Sequence, residues 1–156
     1  MRMRQDRQRG FTMVETLVAL VVLAIGLLGI AALYLDSLRA GRTAIYRTQA
    51  VNLSADLADR IRSNRAAIAS YVAAYADVAV AVPACDTTAG CTAAELAATD
   101  LSRWKAQVAQ SLPIGEGQVE VTPPLVAGDP ALYVITVRWT EVGQDDRATF
   151  QLRLTT

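Results

Sequence analysis

The stretch that decides the fold is GFTMVETLVALVVLAIGLLGIAALYL, from Gly10 to Leu35. Its last twenty residues carry no charge and directly follow an acid, Glu15. Twenty helical residues at about 1.5 Å of rise each span about 30 Å, which is the thickness of bilayer hydrocarbon. The sequence therefore predicts a helix over residues 11–35 that inserts in membrane lipid.

The order of small and apolar residues separates this segment from an ordinary secretory signal. A secretory signal places its small-residue cleavage site after the apolar stretch, whereas the candidate cut here, after Gly10, comes before it. A chain cut at Gly10 keeps its hydrophobic segment. Residues 1–9 carry four arginines and one acid, a net charge of +3. This bias favours a cytoplasmic N-terminus and a head on the far side of the membrane.

Glu15 needs a partner, because an unpaired acid pushed toward the bilayer core costs roughly 2.5 kcal/mol or more. A cut after Gly10 would create a positively charged amine on Phe11, one helical turn from Glu15. In a helical assembly the acid could instead neutralise the new amine of a neighbouring chain. The simpler alternative is that Glu15 marks the edge of the bilayer beside the basic leader.

The segment from Gly10 to Glu15, placed before an apolar helix, resembles the class III signal of type IV pilins and type II secretion pseudopilins. In that family a prepilin peptidase cuts after the glycine and methylates the new N-terminal phenylalanine, and the glutamate at the fifth mature position is used in assembly. The resemblance implies that Gly10 is the cleavage residue, Phe11 the N-methylated terminus and Glu15 the assembly acid.

Other segments resemble minor pilins of the PilV type in particular. They are residues 17–29, residues 62–66, the pair Cys85 and Cys91, and residues 135–139. This resemblance implies a subunit of the bacterial inner membrane that later joins the pilus fibre and helps to initiate or cap it. The implied partners are a prepilin peptidase/N-methyltransferase, other minor pilins, the major pilin, the inner-membrane assembly platform and membrane lipid. Unlike major pilins, the chain has no proline in its first helix, since its first proline is Pro83.

Composition argues against several other functions. Of fifteen basic and fifteen acidic residues, eleven and fourteen remain after residue 10, so the mature chain has a net charge of −3. A mildly acidic protein is a poor electrostatic binder of nucleic acid. Two cysteines and no histidine leave no common metal cluster and no histidine-dependent triad. We therefore expect no catalytic residue, no metal and no cofactor. The adjacent acids Asp145 and Asp146 predict a hairpin turn rather than a calcium loop, because further spaced oxygen ligands are missing.

Cys85 and Cys91 lie in a segment that contains Pro83 and Gly90. On the periplasmic side a thiol pair normally oxidises, so we expect a disulfide that closes a short loop over residues 83–92. Such a loop contributes on the order of 2 to 3 kcal/mol. A redox-active pair is the alternative, and it is disfavoured because the spacing is not Cys-x-x-Cys.

The helical pattern continues beyond the apolar segment. Leu53, Leu57 and Ile61 recur at every fourth position, which predicts one helix from residue 11 to about residue 75. Two charge pairs at helical spacing, Asp56 with Arg60 and Asp59 with Arg62, indicate solvated faces. A Thr-x-x-Glu capping box at Thr92 predicts a second helix over residues 93–111, with Trp104 as a core anchor.

The last forty residues alternate apolar and polar side chains with a period of two. They predict an antiparallel meander of three strands at about 118–122, 131–141 and 147–155. The resulting fold class is α+β and pilin-like: a long N-terminal helix on a small head, residues 36–156, with a second helix and a three-stranded sheet. Three rivals to a minor pilin remain. They are a type II secretion pseudopilin, a plain membrane-anchored periplasmic domain, and a secreted enzyme cut near residues 29–31.

Overall fold

The computed structural model describes residues 10–78, 80–88, 90–123, 130–141 and 146–155. The predicted leader before Gly10 and the predicted turn residue Asp145 lie outside these ranges. The chain divides into two compact units, Met1–Gly41 and Arg42–Thr156. A long helix, α1 (Met13–Ser63), begins in the first unit and ends in the second.

The first unit contains the apolar part of α1. The side-chain oxygen of Thr12 accepts a hydrogen bond from the backbone N–H of Glu15 (3.3 Å), which satisfies one of the free donors at the start of the helix. All residues from Phe11 to Gly41 are exposed. Among the described helices, α1 alone is long and apolar enough to cross a membrane. The part of the first unit that the structure describes therefore buries none of its apolar side chains within the chain itself.

The second unit is an α+β head, which confirms the predicted fold class. Its antiparallel sheet has the order β1-β2-β3, formed by β1 (Glu116–Thr122), β2 (Leu132–Thr140) and β3 (Arg147–Thr155). The second helix, α2 (Ala93–Ser111), begins with the predicted capping box, in which Thr92 and Glu95 exchange hydrogen bonds. Two short 3₁₀ turns, Arg65–Ser70 and Pro83–Asp86, connect α1 to α2.

The core of the head lies between α1, α2 and one face of the sheet. Leu57 and Ile61 of α1 are fully buried, as is Trp104 of α2. The inner face of β2 contributes Tyr133, Ile135, Val137 and Trp139, each at most 2% exposed. The prediction that Trp104 anchors the core is confirmed, and its indole N–H donates to the carbonyl oxygen of Leu53 (3.0 Å).

The predicted end of the first helix is wrong, because α1 stops at Ser63 rather than near residue 75. Asn64 leaves the helical region (φ −106°, ψ 57°), and its side-chain amide donates to the carbonyl oxygen of Ala93 (2.8 Å). Ala73 then pairs with Val119 of β1 in an antiparallel bridge. A residue in a strand bridge cannot continue a helix, so tertiary contacts override the local helical pattern. With 51 residues α1 is about 75 Å long at the standard rise.

Candidate processing and assembly site

The three residues predicted for processing and assembly lie next to each other at the start of α1. Gly10 is exposed and precedes the helix. A Cβ atom built on Gly10 meets no heavy atom within 4 Å, and the backbone of Gly10 has no positive φ. Within the described residues, therefore, neither space nor backbone conformation requires a glycine here. A requirement for glycine at this position would have to come from an enzyme that reads it.

The apolar side chains that follow Gly10 are exposed in the described chain. Phe11 is 82% exposed and Met13 is 85% exposed. Exposed apolar surface on this scale marks a membrane or protein contact. The first unit is therefore built to be covered by lipid or by other helices.

Glu15 lies in the first turn of α1. An acid at this position interacts favourably with the positive end of the helix dipole. In the described part of the chain its carboxylate is exposed and makes no ion pair. The amine that would pair with Glu15 is absent from the uncut chain, because the nitrogen of Phe11 is still in a peptide bond. Phe11 and Glu15 are four residues apart in the sequence, but Phe11 precedes α1, which begins at Met13 rather than at the predicted residue 11.

A buried polar network, which sequence reasoning missed, ends α1 and fixes it to α2. Arg60 donates to Asp56 and to Asp100, each at 2.9 Å. The hydroxyl of Tyr71 donates to the second oxygen of Asp100 (2.7 Å), and the amide of Asn64 lies 3.3 Å from that hydroxyl. Burial, followed by the hydrogen bond to Asp100, raises the pKa of Tyr71 to about 12.

The network corrects one prediction about the charged faces of α1. Arg60 was predicted to form a solvated pair with Asp56. It also forms an ion pair with the buried carboxylate of Asp100. The pair Asp59 and Arg62 is exposed, as predicted. The sequence signals for the network were the pair Asp56 and Arg60 and the segment at residues 62–66, which contains Asn64.

The predicted disulfide between Cys85 and Cys91 is present, with a Cα–Cα distance of 4.8 Å. It closes the loop that leads into α2. Thr99, which is fully buried, accepts a hydrogen bond from the backbone N–H of Val82 (2.9 Å) and so holds the loop against α2. The disulfide and this contact together fix the entry to the second helix.

The outer face of the sheet carries a cluster of charges around Glu116. Arg138 donates to its carboxylate at 2.6 Å, and Arg147 contacts the same oxygen. Burial opposes the charged form of Glu116, but the hydrogen bonds from Arg138 and Arg147 outweigh it, so the pKa of Glu116 lies below its ordinary value. The guanidinium of Arg138 also stacks on the ring of Tyr75, 3.7 Å from its centroid. This stacking places the segment after Ala73 across the outer face of the sheet.

The described residues contain no group of three or more histidine, cysteine, aspartate or glutamate side chains that could hold a metal ion. The start of the chain that the structure describes combines an exposed glycine, Gly10, with an exposed apolar helical segment whose first turn carries one acid, Glu15. This arrangement defines a prepilin-like class of membrane-anchored subunit.

Comparison with known families places the chain within that class. A family model described as "Prokaryotic N-terminal methylation motif" matches residues 5–31. A second, described as "Type IV pilin Tt1218", matches residues 32–102. The searches of curated proteins and of solved structures each gave no match.

Over residues 5–102 the chain is therefore similar to type IV pilins, and to the Tt1218-like family in particular. Members of this family are structural, non-enzymatic proteins. The methylation motif implies processing by a prepilin peptidase.

Proposed function

We propose that this pilin is a minor pilin of the PilV type, which helps to initiate or cap the type IV pilus after prepilin peptidase has processed it. The observation that carries the proposal is the exposed apolar helix with its single acid, Glu15, directly after Gly10 and Phe11. The likeness of residues 17–29 and 62–66 to minor pilins supports the finer assignment. The other minor pilins, the major pilin and the inner-membrane assembly platform are the proposed partners.

Processing would proceed by hydrolysis of the peptide bond after Gly10. The leader leaves with a new carboxylate, and Phe11 gains a free amine that the same enzyme then methylates. The open space around Gly10 supports this role, because the described chain offers no obstacle to a peptidase.

Assembly would use the charge pair between Phe11 and Glu15. In lipid or among packed helices the two charges are poorly solvated, so pairing relieves a large cost for each. A pair between neighbouring chains would also set the register of one subunit against the next. Such a pair explains an acid in an otherwise apolar segment.

The apolar helix would store the subunit in the inner membrane, with the N-terminus cytoplasmic and the head periplasmic. Lipid tails and neighbouring helices are similarly apolar, so transfer from membrane to fibre has a small net hydrophobic cost. An external motor could therefore extract the subunit without the free-energy cost of exposing its apolar face to water.

The first test is co-expression with a prepilin peptidase, followed by mass spectrometry of the mature N-terminus. We expect a methylated chain that begins at Phe11. An intact leader, or a cut near residues 29–31, would contradict the proposal and favour a plain anchor or a secreted protein.

A second test separates a pilus subunit from a type II secretion pseudopilin. Deletion of the gene in its native host should abolish or reduce twitching and piliation and leave enzyme secretion normal. Loss of secretion with normal pili would assign the protein to the secretion system instead.

A further inference from the structure

The two edges of the sheet differ in whether another segment of the described chain pairs with them. On the outer side of β1, Ala73 and Val119 exchange two backbone hydrogen bonds (3.1 and 2.8 Å). The chain then crosses the outer face, where Tyr75 stacks under Arg138. Lys105 of α2 donates to the carbonyl oxygen of Asp77 (2.7 Å) and so holds this crossing segment. The edge at β1 is therefore covered at Val119.

The edge at β3 is open in the described part of the chain. All nine residues of β3 pair with β2, and no described segment pairs with the other side of the strand. A free edge presents unpaired N–H and C=O groups, which can template another strand. A strand of nine residues is long enough for such pairing.

The register identifies which backbone groups face the open edge. Val119 gives its hydrogen bonds to Ala73, so its pair with Ile135 is of the non-hydrogen-bonded kind. The N–H and C=O groups of one strand residue point to the same side, so those of Ile135 face away from β1 and bond its other partner, Leu152. The even-numbered residues of β3 thus face β2. The odd-numbered residues direct their N–H and C=O groups to the open edge, and they are Arg147, Thr149, Gln151, Arg153 and Thr155.

The open edge is positively charged. The side chains of the same five residues are exposed on the outer face of the sheet, and none of them is an acid. Arg147 shares the carboxylate of Glu116 with Arg138, so one acid faces two arginines and a positive charge remains. Arg153, in contrast, makes no ion pair with any residue that the structure describes. A strand with an acidic side chain beside Arg153 would supply the missing charge, and a favourable cross-strand pair contributes roughly 0.2 to 1 kcal/mol.

A second copy of this chain is a poor occupant of the edge. Antiparallel self-pairing centred on Phe150 places Arg147 directly opposite Arg153 of the other copy. Self-pairing centred on Gln151 places the same two arginines on a diagonal, about 7 to 8 Å apart. Like charges at these positions are destabilising. The arginines therefore act against self-association and select a strand of opposite charge.

We propose that the open edge of β3 accepts an extended segment of a different pilin subunit, which carries acidic residues at alternate positions and adds a fourth strand to the sheet. The inference rests on the proposed function, because it takes the partner to be another subunit of the same fibre. Backbone hydrogen bonds would give affinity, and the acids facing Arg153 would give specificity.

The test is photo-crosslinking of the full-length protein in its native host. A photoreactive amino acid replaces Gln151, whose backbone faces the open edge. The matched control replaces Gln118 of β1, which also lies on the outer face but in a strand paired on both sides. We expect a light-dependent adduct from position 151 with another pilin subunit, at least fivefold stronger than from position 118. Mass spectrometry should place the adduct in an extended segment with acids at alternate positions.

A charge reversal at Arg153 is the second part of the crosslinking test. Arg153→Glu should reduce the adduct from position 151 at least fivefold, and Arg153→Lys should retain it. Arg62→Glu, which removes an exposed pair on α1, should leave it unchanged. Equal adducts from both positions, an adduct with a second copy of this chain, or no adduct would each overturn the inference.

The state of the N-terminus, measured in the same cells, separates a failure of the strand pairing from a failure of the proposed function. A methylated chain that begins at Phe11 but gives no adduct would overturn the strand pairing alone. An unprocessed chain would overturn the proposed function itself.

Discussion

At the scale of the residue, Glu15 has a role that folding does not explain. It is exposed and makes no ion pair within the described chain, so its removal should not disturb the head. We expect Glu15→Ala to be cut after Gly10 at a near-normal rate and to reach the fibre at less than about one tenth of the wild-type amount, since an unpaired charge in the membrane costs roughly 2.5 kcal/mol. Immunoblots of sheared pili and of membranes give the two quantities.

The control for Glu15 is Asp36→Asn, because Asp36 lies in the same unit and is paired only with exposed Arg39. Asp36→Asn should enter the fibre normally. Normal piliation by Glu15→Ala would rule out the charge pair.

Tyr71 is the residue on which the head's polar network depends. Tyr71→Phe removes the hydroxyl that donates to buried Asp100, and it should lower the free energy of unfolding by about 1 to 3 kcal/mol because the carboxylate loses a partner. Both tryptophans lie in the head. Their fluorescence therefore reports urea unfolding of the detergent-solubilised chain, with Asp59→Asn as the matched surface control.

The same hydroxyl predicts a pH dependence. The pKa of Tyr71 is raised to about 12 in the folded chain, whereas an unfolded tyrosine has a pKa near 10. Its contribution to stability is therefore complete below pH 10 and is lost as the pH rises toward 12. The difference in stability between wild type and Tyr71→Phe should shrink over that window, and a difference that stays constant from pH 9 to 12 would contradict the assignment.

At the scale of the element, the close packing of β1 against Trp104 of α2 depends on the absence of a side chain at Gly117. A Cβ atom there would lie 2.4 Å from the ring of Trp104. We expect Gly117→Ala to destabilise the head by roughly 1 to 3 kcal/mol, because the ring or the strand must move. A Cβ atom at Gly41 in α1 meets nothing within 4 Å, so Gly41→Ala should not destabilise the head in the same urea experiment and should, if anything, stabilise α1 through its higher helix propensity. Equal free energies of unfolding of the two variants would show that the close approach of residue 117 to Trp104 does not limit the stability of the head.

The elements also show what a local pattern can and cannot predict. The period of two in β2 correctly predicted that Tyr133, Ile135, Val137 and Trp139 face the core, because alternation is a property of the strand itself. The end of α1 was not predictable in this way. It depends on Asn64 binding Ala93, which lies 29 residues further along the chain.

The candidate site was accessible to sequence reasoning for a different reason. Gly10, Phe11 and Glu15 lie within six residues of one another, in a short signal that we propose a separate enzyme to recognise, so no tertiary contact is needed to bring them together. The polar network and the two unequal sheet edges depend on pairings between distant segments, such as Ala73 with Val119. Neither could have been found before the fold.

At the scale of the whole molecule, folding of the head and processing of the leader should be separable. Every fully buried side chain that the structure describes lies between Ala50 and Trp139, and the disulfide lies in the same part of the chain. Gly10→Val should therefore leave the leader attached and exclude the protein from pili, while the head still folds and oxidises. Protease resistance of the head and the thiol content of the membrane-bound precursor measure this outcome. A precursor with free thiols and a protease-sensitive head would mean that processing is needed for folding, and pili that contain the uncut chain would mean that cleavage is not the step that licenses assembly.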